Sequence, residues 1–273
     1  ATTPSRKCPF ACRSAVMGVA VLSDVHANLP ALEAVLAEVR VAHVDLIVFG
    51  GDAVPGPMMR ETLTRVLTLD IPTQFVHGNG ELGMLAQIDA PDPSAVTYWG
   101  TTSGTPLPEP LKEVVRWSAR QVLPDHAHVM ASWPRTLRLE IPGLGRVLFC
   151  HATPHSETDA FTRLTPEDVL LPVFEGLGAD VVVCGHTHMQ FDRMIGTTRV
   201  VTAGTVGMPF GRTGADWLLL APGVELRNTS YDLLRAGEQI RQTEYPQARE
   251  LADSLSHPPS EDEILKVFTR ISF

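Results

Sequence analysis

The stretch Val181-Val-Val-Cys-Gly-His-Thr-His188 is an apolar run that stops at Gly185 and then presents two histidines. Val181 to Cys184 have the pattern of a strand buried on both faces, and His186 and His188 project the same way if the backbone beyond it stays extended. A lone His-x-His is weak, because imidazoles also serve as ordinary hydrogen-bonding groups. Four other apolar runs, however, end in the same kind of residue. Asp24 and His26 follow Val16 to Leu22, Asp52 follows Leu46 to Phe49, Asn79 follows Thr73 to Val76, and His151 follows Arg146 to Cys150. Together these are two carboxylates, one amide and four imidazoles, too many ligands for one ion. Oxygen and imidazole donors without thiolate suit Mn, Fe, Zn or Co, and a carboxylate shared between two ions lets the set fill two open coordination shells. Asp52, in the middle, is the natural bridge. Singly, each residue has an ordinary use: an aspartate after a strand caps a helix, Asn79 shapes a turn, His151 is a satisfied histidine. All of the strand ends carrying such residues beside glycines is a poor accident.

The elements that hold these groups follow from periodicity. Val16 to Leu22 predicts a buried strand with its ligands at the carboxyl end, where open α/β sheets bind. Asn28 can cap the next helix, Pro30 fits its first turn, and Leu29, Leu32, Val35, Leu36 and Val39 share a face. Val44 to Phe49 predicts a second strand, running into Gly50-Gly51-Asp52, and a helix from about Met58 to Leu69 returns the chain. Thr73 to Val76 is a third short strand, ending in His77-Gly78-Asn79-Gly80-Glu81, and three βα units in a row argue for a right-handed parallel sheet. Residues 90–109 read as a long irregular loop. Leu111 to Val122 is helical by period. Thr136 to Ile141 and Arg146 to Cys150 form a hairpin across Gly143 and Gly145 and open a second sheet. Glu167 to Leu177 is a helix, Asp180 to Cys184 a strand, and Met189 to Met194, Arg199 to Ala203, Trp217 to Leu220 and Val224 to Thr229 read as successive antiparallel strands. From Tyr231 the chain is helical, divided by Pro246 and Pro258-Pro259.

Bulk composition narrows the class. A chain of 273 residues at 44% hydrophobic buries a full core, and we expect one domain over 16–273 behind an arm or appended remnant at 1–15. A formal charge of -9 gives no footprint for duplex nucleic acid, while a small phosphate ester drawn to local cations stays compatible. No apolar run approaches the roughly 20 residues that span a bilayer, and no secretion signal precedes the first strand, so the expected location is cytoplasmic. Homo-oligomerisation is left open. Cys150 and Cys184 read as buried, inert thiols. Cys8 and Cys12 could bind a metal but have no second pair nearby.

Asp24-x-His26, Gly51-Asp52, Gly78-Asn79, His151 and Gly185-His186-x-His188 resemble, in type and order, the motifs of the calcineurin-like metallophosphoesterases, over about residues 17–230. The resemblance implies a four-layer α/β/β/α sandwich of two mixed central sheets, with the metal site at the carboxyl ends of the strands. It also implies that Asp24, His26, Asp52 and His188 hold one ion and Asp52, Asn79, His151 and His186 the other. Two departures are visible. The chain has Gly51-Asp52-Ala53-Val54-Pro55-Gly56 where the protein-phosphatase branch carries Asp-Arg-Gly after its second motif, and Gly80 stands where many members have a proton-donating histidine. Small bacterial and archaeal phosphodiesterases of the family often lack that histidine too, and the chain is most similar to them.

The expected activity is therefore hydrolysis of phosphodiesters at two ions, Mn first and Fe or Zn otherwise. Asp52, His151 and His186 would act through a hydroxide held between the ions, with metal affinity falling as pH drops through the histidine range. A phosphomonoesterase, or a metal-binding scaffold that has lost turnover, are the alternatives. Asn28, Gly80 and His155 are candidate substrate contacts. The loop 90–109, Arg163 and Met208-Pro209-Phe210 could also line a pocket, and His77 and His155 are the nearest substitutes for the missing acid.

Overall fold

A computed structural model describes residues 17–90, 92, 96 and 107–268. The arm at 1–15 with Cys8 and Cys12, and most of the loop 90–109, lie outside these residues.

Strand β1 (Val19–Leu22) shows how the layers arise from a two-residue period. Val19 and Val21 enter one apolar cluster with Val147, Phe149, Val181, Val183 and Val201, while Ala20 and Leu22 enter another with Leu32, Val35, Leu36 and Val39. The first cluster is the seam between two sheets. The second is the outer face of the first sheet against helix α1 (Leu29–Val41), whose first turn is closed by the Asn28 side chain accepting from the Ala31 N–H at 3.2 Å.

The chain continues through β2 (Leu46–Phe49), α2 (Met59–Leu67), β3 (Thr73–Phe75), α3 (Asn79–Ile88), α4 (Glu109–Gln121) and α5 (Pro124–Ala131). Then follow β4 (Thr136–Ile141), β5 (Gly145–Cys150), α6 (Glu167–Phe174), β6 (Val181–Cys184), β7 (Phe191–Ile195) and β8 (Thr198–Thr202). The described chain ends with β9 (Ala215–Leu220), β10 (Val224–Thr229), α7 (Leu233–Arg241), α8 (Ala248–Ser256) and α9 (Glu261–Phe268). One sheet runs β10-β9-β1-β2-β3 and the other β4-β5-β6-β8-β7. Both are mixed: β1, β2 and β3 are parallel, with β9 antiparallel to β1 and β10 antiparallel to β9 on one edge, and β5, β6 and β8 are parallel between antiparallel β4 and β7. Helix α6 covers the outer face of the second sheet through Leu170 and Phe174 against Leu148, Val182 and Val200. The result is the four-layer sandwich expected.

Three features differ from the sequence reading. Strands β7 to β10 are not one antiparallel series: β9 leaves the second sheet and pairs antiparallel with β1 in the first. Alternation within a strand says nothing about which sheet receives it, and Trp217, fully buried against α1 residues, fixes the choice by packing. Helix α3 begins at Asn79 itself, although two glycines flank that residue and weaken any helical signal. Its start is held by half a capping box, Glu81 reaching back to the Gly78 N–H at 2.7 Å with no glycine side chain to reciprocate. Helix α5 was not foreseen; its apolar face is short, with Met130 buried beside Trp133 and Met84.

Candidate metal centre

Every one of the seven proposed ligands lies just past the carboxyl end of β1, β2, β3, β5 or β6, as the parallel strands require. The loops are stitched together by main-chain bonds. Asp24 N–H donates to Gly51 O and His26 N–H to Asp52 O, each at 3.0 Å, and Gly185 N–H donates to His151 O at 2.6 Å. Asp24, His26, Asp52, His186 and His188 all have positive φ, between 46° and 69°. Side-chain-bearing residues rarely adopt that conformation, and such strain persists where surrounding structure over-determines it, typically at functional sites. Gly51, at φ 89°, is needed for a second reason: a Cβ there would meet His151 Nδ1 at 2.6 Å and Gly78 N at 2.8 Å.

Asp24 lies at the centre. Its Oδ1 is buried with no hydrogen-bond partner, yet it stands 3.3 Å from His188 Nε2, 3.9 Å from His26 Nε2 and 4.0 Å from His151 Nε2. Its Oδ2 accepts the His186 N–H at 3.0 Å. The rings are oriented by carbonyls on their far sides: His26 Nδ1 meets Pro55 O at 3.3 Å, His188 Nδ1 meets Met208 O at 3.0 Å and His151 Nδ1 meets Gly50 O at 2.9 Å. A carbonyl only accepts, so each Nδ1 carries the proton and each Nε2 turns a lone pair inward. His26 and His188 Nε2 then face each other at 3.1 Å, and His151 Nε2 faces Asn79 Oδ1 at 3.0 Å with the amide placed as it is. Lone pairs converging with no proton between them, around an orphaned carboxylate oxygen, form a cradle for cations. The residues fit the divalent ions their types suggest.

Two compact donor groups emerge, Asp24-His26-His188 and Asp24-Asp52-His151. Asp52 reaches toward both, its Oδ2 3.9 Å from His26 Nε2 and its Oδ1 3.6 Å from His151 Nε2, while Oδ1 also accepts the Gly80 N–H at 2.7 Å. The groups share Asp24, where the resemblance implied Asp52 as the shared ligand. His186 joins neither group, although its ring lies edge-on against His151 at 5.1 Å. The left-handed backbone at His186 and His188 replaces the extended run that would have sent both side chains one way.

Electrostatics suit cation binding. Burial drives the imidazoles of His26 and His186 down to about 3, helped by His188 for the first and His151 for the second, so both are neutral without any ion. Burial also works on the carboxylates, but the imidazoles of His188, His151 and His26 outweigh it at Asp24, which is held below its usual range. Asp52 goes the other way, raised to about 8 by burial and then by the Asp24 charge. Two carboxylates this close do not both ionise comfortably until a cation arrives.

The pattern of a whole domain matches as well as the site. The model of the calcineurin-like phosphoesterase superfamily domain covers residues 17–221, more than half of the chain. The chain belongs to that family. Among its relatives is an uncharacterized protein of Methanocaldococcus jannaschii, 24% identical over 249 residues, which are 84% of this chain and 94% of the relative. A hypothetical protein of Pyrococcus horikoshii OT3 has a similar fold, with TM-score 0.74 and 19% identity over 88% of this chain and 97% of its own. A metallophosphoesterase of Sphaerobacter thermophilus gives TM-score 0.65 and 23% identity over 88% and 98%.

Within this phosphoesterase fold the expected substrate contacts fare unevenly. Asn28 is fully buried and occupied, capping α1 and donating to Gly207 O at 2.9 Å, so it is structural. Gly80 is buried under the loop after Asp52: a Cβ there would meet Val54 O at 2.5 Å, Pro55 Cδ at 2.6 Å and Asp52 Oδ1 at 2.9 Å. No open space stands where a histidine would reach a substrate. His155 is exposed, and its carbonyl accepts from Arg135 at 3.1 Å. His77 is pushed down by burial and sits 3.6 Å from Glu157, which Arg135 binds at 2.6 Å. Arg163 pairs with Glu261 at 2.8 Å. Met208 and Phe210 do touch the site, the first through its carbonyl and the second by stacking on His188 with centroids 4.7 Å apart.

Sequence reasoning missed the groups that orient the ligands. Three are main-chain carbonyls, of Gly50, Pro55 and Met208, which carry no residue signature. The fourth is Glu81, fully buried, its carboxyl raised to about 7 by burial and then by the charge of Asp52. An acid three residues past Gly78, at a helix start, was the available signal.

Proposed function

We propose that the protein is a dinuclear metal-dependent phosphodiesterase. The observation that carries this reading is the convergence of three imidazole Nε2 atoms, of His26, His188 and His151, with the orphaned Asp24 Oδ1 on one buried point. Asp24, His26 and His188 with Asp52 Oδ2 would hold one ion, and Asp52 Oδ1 with Asn79, His151 and His186 the other. A set of oxygen and imidazole donors without thiolate favours Mn, with Fe and Zn as the competitors. Bound divalent ions supply Lewis acidity and bring the pKa of water from 15.7 toward about 7.

The chain's own residues prepare that chemistry. The imidazoles are aimed before any ion binds, and burial keeps those of His26 and His186 neutral, so little reorganisation is needed. Two carboxylates against two divalent ions leave a local charge of about +2, which draws an anionic diester into a protein that repels anions as a whole. The Gly80 N–H fixes Asp52, while the filled space at that position offers no side chain to protonate a leaving group. This favours esters whose leaving oxygen is already stable, aryl or nucleoside phosphodiesters among them. A cytoplasmic location fits such a role, and among the described residues no helix is long and apolar enough to cross a membrane.

The test is turnover of bis(p-nitrophenyl) phosphate and of p-nitrophenyl phosphate by the Mn-loaded protein and by Asp52→Asn. The diester should be cleaved faster, and Asp52→Asn should lose at least about 10²-fold, the scale of removing one key electrostatic stabiliser. A faster monoester would make it a phosphomonoesterase. Absence of turnover with both ions bound would leave a metal-binding scaffold.

A further inference from the structure

Glu81 is fully buried, and its carboxylate is met by main-chain N–H groups. A buried carboxylate is costly unless hydrogen bonds replace its water, and an apolar side chain of similar volume would stabilise the fold at least as well. The carboxylate is fully used. Its Oε2 accepts the N–H of Asp52 at 3.0 Å and of Gly78 at 2.7 Å, and its Oε1 accepts the N–H of Val54 at 3.2 Å. One oxygen thus joins two loops that end different strands, at the ligand Asp52 on one side and at the residue before the ligand Asn79 on the other. The clasp is reciprocal, because the side chain of Asp52 in turn accepts the N–H of Gly80, the neighbour of Glu81.

We infer that Glu81 is a positioning residue that locks the loop after β2 to the loop after β3, fixing Asp52 against Asn79 so that Asp52 can serve both ions. The inference rests on the dinuclear reading above. Asp52 sits at φ 51°, in the sparsely populated left-handed region, and the Glu81 bonds to its own N–H and to Val54 bracket that position. A glutamine could keep the two N–H groups on one oxygen, but its amide would then set a donor against the Val54 N–H. An aspartate would keep the charge and fall short by one methylene. Neither replacement spans both loops as glutamate does.

The experiment loads wild type, Glu81→Gln and a control, Leu251→Ala, with Mn(II) and follows three quantities: thermal melting, bound Mn and the electron paramagnetic resonance spectrum. Leu251 is buried in α8, in a cluster with Tyr245 and Leu255 and none of the ligands, so its truncation lowers stability without touching the clasp. Wild type should take up two ions that couple magnetically. Glu81→Gln should bind the second ion about 10-fold to 100-fold more weakly, the usual cost of losing a partner that orients a ligand. At equal added Mn it should show the six-line spectrum of isolated ions, whereas Leu251→Ala should melt early but keep the coupled pair. Glu81→Gln with wild-type affinity and coupling overturns the inference, as does loss of the pair in Leu251→Ala to the same degree. Should Glu81→Gln not yield folded protein, Glu81→Asp carries the same test. If wild type itself holds one ion, the dinuclear reading fails, and the role of Glu81 is decided by whether its substitution weakens that one site tenfold or leaves it unchanged.

Discussion

His26 and His188 present Nε2 to Nε2 at 3.1 Å, and each ring spends its N–H on a carbonyl behind it, Pro55 for the first and Met208 for the second. Opposed lone pairs repel, so this pair stabilises the fold once a cation separates them and opposes it before. Adding Mn to protein stripped by a chelator should therefore raise the melting temperature. An ion at 100 times its Kd adds about 2.7 kcal/mol, on the order of 5–10 °C for a domain of this size. His188→Ala should lose most of that gain while leaving the stripped protein about as stable as before, because it removes the repulsion as well. Differential scanning calorimetry of both proteins with and without Mn checks this; equal metal-induced gains would argue against the pair as ligands.

The pH dependence of the stripped protein has a definite sign. Asp52 is raised from 3.8 to about 8 and Glu81 from 4.5 to about 7, burial first in both. The folded chain therefore holds protons the unfolded chain has released, a contribution present at low pH and lost as pH rises toward about 8. His26 and His186, lowered from 6.5 to about 3, act oppositely, but their contribution is fully in place above about 6.5. Between pH 6.5 and 8 these two carboxyls therefore lower the melting temperature in chelator as pH rises. With Mn saturating, the cation replaces the proton and the fall should vanish or reverse. A flat profile in chelator would contradict the raised carboxyls.

Metal affinity should follow the same carboxyls. His26 and His186, lowered by burial, offer no competing proton in the histidine range, and the proton displaced near pH 7 is held by Asp52, whose carboxyl burial raises to about 8. Calorimetric titration with Mn in buffers of different ionisation enthalpy should show about one proton released per molecule at pH 7. Release of none would place both carboxyls already ionised.

Gly80→His does not install a general acid. Its Cβ would meet the Val54 carbonyl at 2.5 Å and Pro55 Cδ at 2.6 Å, main chain and ring atoms that cannot swing aside. Overpacking of this kind costs about 1–3 kcal/mol, and it displaces the Asp52 loop. The variant should melt lower and lose activity on all esters alike. A gain confined to alkyl esters would show that the loop after Asp52 yields easily.

With no acid at that position, the leaving group's own pKa should govern rate. A general acid contributes roughly 10² to 10⁴ in rate, and it matters most for poor leaving groups. A series of diesters with leaving-group pKa from about 7 to 14, spanning phenols such as p-nitrophenol to simple alcohols, should give a steep fall in kcat. A shallow dependence would point to another proton donor, and His77 beside Glu157 would be the first to substitute.

The strand ends and the ligand order could be read from sequence because both are local: an apolar run, a glycine and a polar group lie within a few residues of one another. The same locality recovered β10 and the proline breaks between α7, α8 and α9. What it could not supply was the far side of each contact. His26 meets His188 across 162 positions of chain, and the return of β9 to pair with β1 places Val19 against Leu220. Asn28 and Gly80 lie beside ligands in sequence, yet packing buries them, one as a helix cap and the other under the Val54-Pro55 turn. Glu81 takes its role from three N–H groups, of Asp52, Val54 and Gly78, that converge on it only in the folded chain. Residue types specified the chemistry because donor identity is intrinsic to a side chain. Which donors share an ion depends on backbone dihedrals and on carbonyls of distant loops, and those exist only when both sheets have closed on each other.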